Sequence, residues 1–212
     1  YPDGPHDAES LLMPGDDRPV IVTKDLGGRS GVYVAEQPAG DEPAVVPRPL
    51  RRAGEVAVPP EAQSLFGSGT FTGGAISPDG RVVALRTYTD AWLYPAPGGT
   101  ASTDDVVTAL RGRPVRVPLP GEAQGEAIAF TADGALLSAG ESPAGQGPAA
   151  LRAVPDAAAL VGPASSSTTA SGDAAAPFPS TPSPAAPGPT TTPGPSTRAG
   201  VPGPLVTLGS VA

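Results

Sequence analysis

A short apolar run, a polar turn and a second apolar run occur together three times in this chain, and this repeat limits the folds open to it. The three units lie at residues 7–25, 73–88 and 125–141. Sheet-forming units that recur at intervals of several tens of residues are typical of arrays in which similar sheets pack side by side. The sequence therefore predicts an all-β array.

Two of the units share a tight-turn signal. Asp79-Gly80 and Asp133-Gly134 each lie between apolar runs, and glycine supplies the positive φ of a hairpin turn without steric cost. Further strands are predicted at residues 55–58 and 114–117, each just upstream of the next unit. With these additions, a unit contains up to four antiparallel strands.

Helix signals are few. The only run of good helix formers is residues 105–110, where Thr103 or Asp104 is predicted to cap a single turn that ends before Gly112. The alanine-rich run 156–160 is short and lies between two prolines, which confine it. Both are predicted to be minor elements.

Composition divides the chain into two parts. Thirty prolines and 28 glycines make up more than a quarter of the 212 residues, and residues 164–204 are almost wholly Ser, Thr, Pro, Ala and Gly. Such a tract buries too little apolar surface to fold, and its prolines favour an extended chain. We expect a folded domain over residues 1–155 and a low-complexity stalk over 156–212. A plain linker between two domains is the alternative for this tail.

Units of four antiparallel strands are the blades of a β-propeller. Three blades are predicted near residues 5–60, 61–120 and 121–155. Closed propellers contain about four to eight blades, so the prediction is an incomplete propeller. We expect the missing blades upstream of Tyr1, and pairing with another copy of the chain is the alternative.

A family resemblance supports this architecture. The segment ISPDGRVVA at residues 76–84 resembles the repeat pattern of bacterial propellers of the WD-like, Tol-B-like and lactonase-like kinds. Residues 7–11 and 124–130 are similar to the first-strand pattern of the phytase-like or esterase-like propellers. The resemblance covers most of residues 5–154 and implies a propeller fragment of a larger exported protein.

Charge and composition exclude several classes of partner. The formal net charge is -8, which disfavours binding to nucleic acid and to anionic membranes. No run of eighteen or so apolar residues is present to span a bilayer. The Ser/Thr-rich and Pro-rich tail is typical of secreted or wall-attached proteins. We therefore expect an extracytoplasmic protein that is secreted or attached to the cell surface.

Three carboxylates are the candidate metal ligands. If the first strand of each blade lines the central channel, Asp7, Glu9 and Glu126 converge near the axis, where their oxygens suit calcium or magnesium. In the second unit Gly74 takes the place of the glutamate. The alternative is that these acids accept hydrogen bonds from backbone amides, because three carboxylates fall short of the roughly six to eight oxygens of a calcium shell. No catalytic residue and no other cofactor site is predicted.

Other candidates are interpreted structurally. His6, the only histidine, lacks the positioned second group that general-base chemistry requires and is predicted to be a loop residue. Gly27-Gly28 and Gly73-Gly74 lack the strand-then-helix context of a phosphate-binding loop and are predicted to be turn and bulge glycines. Trp92 and Tyr94, two residues apart on a strand, share one face and are predicted to pack between blades.

Two functions of different class follow from these observations. The first is a non-catalytic extracytoplasmic propeller whose loops bind a protein or a cell-wall polymer. The second is a calcium-dependent phosphoester or lactone hydrolase in which Glu9 and Glu126 are metal ligands or acid/base groups. The sequence favours the scaffold.

Overall fold

The structure, a computed structural model, describes residues 1–40, 47–62, 69–96, 102–122, 124–142 and 149–162. Within these ranges, eleven strands form three antiparallel sheets, and in each sheet consecutive strands pair as a meander. One short α-helix and two 3₁₀ segments complete the described structure. The prediction of an all-β domain is confirmed.

Sheet 1 and sheet 2 contain four strands each. In sheet 1 the order is β1 (Ala8–Leu12), β2 (Val20–Thr23), β3 (Arg29–Ala35) and β4 (Leu50–Ala57). In sheet 2 the order is β5 (Gly73–Ile76), β6 (Val82–Arg86), β7 (Asp90–Pro95) and β8 (Val115–Pro118). The strands predicted at residues 55–58 and 114–117 are therefore present as parts of β4 and β8.

Sheet 3 contains three described strands, β9 (Gly125–Phe130), β10 (Leu136–Gly140) and β11 (Arg152–Val154). The prediction of four strands per unit is thus confirmed for sheets 1 and 2. For sheet 3 the described residues show three strands. The 3₁₀ segment Ala157–Leu160 follows, and Ala157 is buried against this part of the fold. The folded region therefore extends past residue 155, and residues 163–212 of the predicted stalk lie outside the described residues.

The hairpin turns follow the sequence prediction. Gly80 and Gly134 have φ of 70° and 86°, the left-handed region that glycine enters at low cost. In the first turn the Ser77 hydroxyl donates to the Asp79 carboxylate over 2.6 Å, and Thr131 and Asp133 form the same contact in the second turn. These side chains hold both turns by the same chemistry.

The α-helix α1 (Thr103–Ala109) lies between β7 and β8. Its N-cap is Ser102 rather than the predicted Thr103 or Asp104. The Ser102 hydroxyl accepts from the Asp105 amide, and the Asp105 carboxylate accepts from the Ser102 amide. This reciprocal capping box satisfies two free donors at once, which explains the shift of the helix start by one residue.

Sheet 2 lies between the other two sheets, and both of its faces are covered. We call the face of a sheet toward the next sheet along the chain its C-side face, and the opposite face its N-side face. Alternate residues of β6 point to opposite faces, so Val83 and Leu85 pack toward sheet 1 while Val82 and Ala84 pack toward sheet 3. Trp92 and Tyr94 are buried together on the N-side face, which confirms that they share one face and pack between neighbouring sheets.

The first strands of the three sheets are neighbours. Strand β5 contacts both β1 and β9. Gly73 and Gly74 lie inside β5, in a regular ladder with β6, so the prediction of a turn or bulge there was wrong. A Cβ atom at Gly74 would lie 2.9 Å from Leu12 Cδ2, and one at Gly73 would lie 2.5 Å from the Glu126 carbonyl oxygen. The two glycines let the neighbouring sheets approach closely.

Within the described ranges, none of the helices has the length and apolar character needed to cross a bilayer.

Candidate functional site

Charged and aromatic side chains from all three sheets interact where the first strands converge. Glu9 comes from β1, Lys24 directly follows β2, and Tyr88 lies in the turn between β6 and β7. Glu126 comes from β9, and Glu141 directly follows β10. We call these five residues the convergence cluster.

Lys24 links two members of the cluster. Its Nζ donates to Glu9 Oε1 over 2.8 Å and lies 5.4 Å from the centroid of the Tyr88 ring. Burial would lower the pKa of Lys24, but its hydrogen bonds with Glu9 and Tyr88 outweigh burial and raise that pKa above its ordinary value. Lys24 is therefore a fixed cation that bridges sheets 1 and 2.

Glu126 is the half-buried carboxylate of the cluster. Partial burial raises its pKa, and the negative charges of Glu9 and Glu141 raise it further. The positive charges of Lys24 and Arg86 act in the opposite direction. Since the net result is a raised pKa, Glu126 keeps its proton to a higher pH than a free glutamate. It can then donate as well as accept a hydrogen bond.

A buried ion pair between Arg86 and Glu122 contacts the strand that carries Glu126. The Arg86 side chain is fully buried, and its Nη2 lies 3.0 Å from Oε2 of Glu122, whose side chain is 4% exposed. Arg86 Nη1 donates to the Ser138 hydroxyl over 2.6 Å, and that hydroxyl donates to Glu122. The same Nη1 donates to the Ala127 carbonyl over 3.0 Å. Sheet 2 thereby holds both strands of the β9–β10 hairpin.

The residue before Glu126 is fixed in the same way. The Thr72 hydroxyl donates to the Gly125 carbonyl over 2.7 Å. A Cβ atom at Gly125 would lie 1.4 Å from Arg86 Nη2, so only glycine fits beside the guanidinium. Because sheet 2 binds the backbone on both sides of Glu126, the place of this carboxylate is set by contacts between sheets.

The three predicted metal ligands occupy different environments. Glu9 and Glu126 belong to the convergence cluster, and Glu9 is already paired with Lys24. Asp7 is exposed and joins the neighbouring strand through its carbonyl oxygen, which accepts from the Lys24 amide over 2.8 Å. Across the described ranges, no group of three or more acidic or histidine side chains is placed to hold a metal ion. The calcium site at Asp7, Glu9 and Glu126 stays a prediction.

His6 lies in the segment that precedes β1, within a polar network on the N-side face of sheet 1. Its Nε2 lies 3.0 Å from Asp3 Oδ1 and 3.0 Å from the Tyr33 hydroxyl. Tyr33 is buried and donates to Asp3 Oδ2 over 2.7 Å. Burial first, and then the hydrogen bond to Asp3, raises the pKa of Tyr33 to about 12. These contacts fasten the N-terminal segment to the sheet.

Sequence reasoning missed Lys24, Tyr88, Arg86 and Glu122. One signal was available: Lys24 is the only lysine of the chain, and it directly follows a strand in the same unit as Glu9. Arg86 occupies a run that reads as an apolar strand, and nothing local indicates that its charge is buried. Arg86 reaches Glu122 only because sheets 2 and 3 pack against each other.

No model of a known protein family and no curated protein sequence matches this chain. The residues of the convergence cluster are therefore assigned by geometry.

Proposed function

We propose that the three sheets are consecutive blades of a β-propeller and that the protein is a non-catalytic scaffold that binds a protein or a cell-wall polymer. The observation that carries this proposal is the convergence cluster. Side chains from three sheets come together beside the first strands, in the position where a propeller has its central channel. Convergent polar groups of this kind give a binding site its specificity.

The arrangement of the sheets supports the blade assignment. Each sheet is an antiparallel meander, the sheets follow one another in chain order, and β5 contacts the first strand on either side. Three blades are fewer than the roughly four to eight of a closed ring. The proposal therefore includes further blades, supplied either by residues upstream of Tyr1, as the sequence predicts, or by a second copy of the chain.

The chemistry of the cluster favours a partner with amino and hydroxyl groups. Glu9 and Glu141 are exposed, and Glu126 and Tyr88 are half-buried. Acidic groups attract a cationic amine, and a protonated Glu126 donates to a hydroxyl oxygen. Proteins and wall polymers both carry such groups. Presentation outside the cytoplasm, on the Pro-rich stalk, belongs to the same proposal and rests on the composition of the tail.

One observation favours a hydrolase as the second candidate. Glu126 and Glu9 are neighbouring carboxylates in different environments, since one is half-buried with a raised pKa and the other is exposed and paired with lysine. In many hydrolases two carboxylic residues differ in this way, and one acts as a general acid while the other is its charged partner. Hydrolysis of a phosphoester or lactone at this pair is therefore the reaction to test.

The experiment compares binding and hydrolysis in one set of variants. The chain, the Glu9→Gln/Glu126→Gln variant and the control Glu36→Gln, which alters an exposed carboxylate outside the cluster, are tested for sedimentation with purified bacterial cell walls. The same proteins are assayed with p-nitrophenyl phosphate and a simple lactone, with and without calcium. We expect wall binding that weakens only in the double variant, and no turnover. Turnover that the double variant loses would establish the hydrolase instead.

A further inference from the structure

The contacts between sheets share one feature of side-chain size. At both interfaces the aromatic side chains of the strands lie on the N-side face, and the apolar strand residues of the C-side face that covers it are aliphatic. Against sheet 1, sheet 2 presents Leu85, Trp92 and Tyr94, and the covering residues of sheet 1 include four valines: Val20, Val22, Val32 and Val34. Against sheet 2, sheet 3 presents Ile128, Phe130 and Leu136, and the covering residues of sheet 2 are Val82, Ala84, Ala91, Leu93 and Val117, with Ala75 beside them.

Within the described ranges, one face of sheet 1 and one face of sheet 3 have no other sheet packed against them, and they keep the same relation. On the N-side face of sheet 1, Leu11, Ile21 and Tyr33 form a cross-strand row, and Leu11 is 56% exposed. On the C-side face of sheet 3, the corresponding row is Ala129, Leu137 and Ala153. Both alanines of that row are exposed. The aromatic residue of the two rows, Tyr33, thus belongs to the N-side face, and the C-side row is aliphatic.

Only part of the N-side face of sheet 1 is available. Asp3 and His6 contact Tyr33, which is fully buried. The accessible part lies around Leu11 and Met13, the latter 46% exposed. A sheet that docks here would therefore contact β1 and β2 rather than β4.

We propose that these open faces bind each other between two copies of the chain, head to tail, with the C-side face of sheet 3 in one copy on the N-side face of sheet 1 in the other. This contact would be a third instance of the pairing that the chain already makes twice. Two copies with three sheets each supply six, within the range of about four to eight that closes a ring. Two-fold symmetry, the commonest in soluble oligomers, would relate the copies.

This inference rests on the blade arrangement proposed above and is independent of what the convergence cluster binds. A second copy is chosen as the occupant because both complementary faces belong to this chain. Blades located elsewhere in a longer polypeptide would occupy the same faces, and they are an outcome of the test.

The test measures the mass of the full 212-residue chain in solution at micromolar concentration, by light scattering and analytical ultracentrifugation. We expect a dimer. Leu11→Glu and Ala129→Glu each place a charge on one open face, and each is expected to give a monomer. Leu26→Glu is the matched control, because Leu26 is 86% exposed in the turn between β2 and β3 and should leave the dimer intact. Thermal melts of the isolated variants show whether they stay folded.

Mixing the two monomeric variants tests the head-to-tail geometry. In a mixed pair, one of the two contacts joins an unaltered sheet 3 face to an unaltered sheet 1 face, so the mixture should recover dimers that neither variant forms alone. A monomeric wild-type chain would overturn the proposal and favour blades from elsewhere in a longer polypeptide. The proposal would also be overturned if both single variants remained dimeric, or if the mixture of the two variants stayed monomeric. The Glu9→Gln/Glu126→Gln variant should remain dimeric whether or not it binds cell walls.

Discussion

The two interfaces of sheet 2 are built from different chemistry. On the sheet 1 side, Trp92 and Tyr94 pack against valines in an apolar core. On the sheet 3 side, an apolar core that includes Leu93, Ile128 and Leu136 is accompanied by the ion pair between Arg86 and Glu122, whose side chains have almost no contact with solvent. Apolar burial is tolerant of small shifts, whereas a buried ion pair demands one geometry. The second interface is therefore the one that fixes the place of Glu126.

The largest expected effect separates these two kinds of interface. Glu122→Ala leaves the Arg86 charge buried without its closest carboxylate, which should lower the free energy of unfolding by about 3–5 kcal/mol. In the Arg86→Met/Glu122→Ala variant no charge is stranded, so its loss should be smaller than the sum of the single losses. Denaturant unfolding of the wild-type protein, the Arg86→Met and Glu122→Ala variants and the double variant measures this coupling. Strictly additive losses would mean that the two side chains do not act as a pair.

Loss of the aromatic anchor tests the apolar interface. Trp92 is 3% exposed and packs in the core between sheets 1 and 2. We expect Trp92→Ala to lower the free energy of unfolding by about 3–5 kcal/mol, because it removes a large buried side chain and leaves a cavity. The effect should add to that of Glu122→Ala, since Trp92 packs between sheets 1 and 2 whereas Glu122 pairs with Arg86 on the side of sheet 2 that faces sheet 3. A clear departure from additivity would show that the interfaces are not independent.

A smaller effect is expected where the guanidinium meets the backbone. Gly125→Ala inserts a methyl group into the space of Arg86 Nη2, and such overpacking costs about 1–3 kcal/mol. In the Arg86→Met background the same change should cost less, because the guanidinium is gone, although the Tyr88 carbonyl oxygen, 2.8 Å from the added Cβ, still crowds it. Chemical denaturation of the single and double variants gives both values. An equal cost in the two backgrounds would contradict the close approach of Arg86 to Gly125.

The pH dependence of stability gives the smallest effect and reports on the convergence cluster. The pKa of Glu126 is raised in the folded protein, so the folded state binds this proton more tightly than the unfolded state. The resulting stabilisation is complete below the ordinary glutamate pKa and is lost as the pH rises through the folded pKa. Glu126→Gln should therefore flatten the decline of stability between the ordinary glutamate pKa and the raised pKa of the folded protein. Melting curves at several pH values compare the variant with Glu36→Gln, and parallel profiles for the two would refute the assignment.

The sequence predicted those parts of the fold that depend on local chemistry. The Asp-Gly turns follow from glycine at Gly80 and Gly134, and the shared face of Trp92 and Tyr94 follows from strand alternation. The proximity of Glu9 and Glu126 was expected from their equivalent positions on first strands, and the charge of Glu9 does act on Glu126.

The parts that depend on contacts between sheets were not predictable in the same way. Arg86 lies in a strand whose other residues are apolar, and its burial depends on Glu122 and Ser138, which are distant in sequence. Gly73 and Gly74 suggested a bulge from their local flexibility, while their actual role is close approach to two neighbouring sheets. Contacts between residues that are distant in sequence determine the burial of Arg86 and the role of these glycines, and no local sequence pattern indicates such contacts.

The contact between β1 and β5 is the most direct test of the arrangement of consecutive sheets. The chain contains no cysteine, so two introduced thiols have no competing partner. Ser10 Cβ lies 3.4 Å from the place of a Cβ at Gly74, close to the roughly 3.5–4.5 Å that a disulfide requires. Ser10→Cys/Gly74→Cys should form an intramolecular disulfide under mild oxidation, detected by mass spectrometry of non-reduced peptides. Two thiols that both stay free in the folded protein would contradict the side-by-side placement of the first strands.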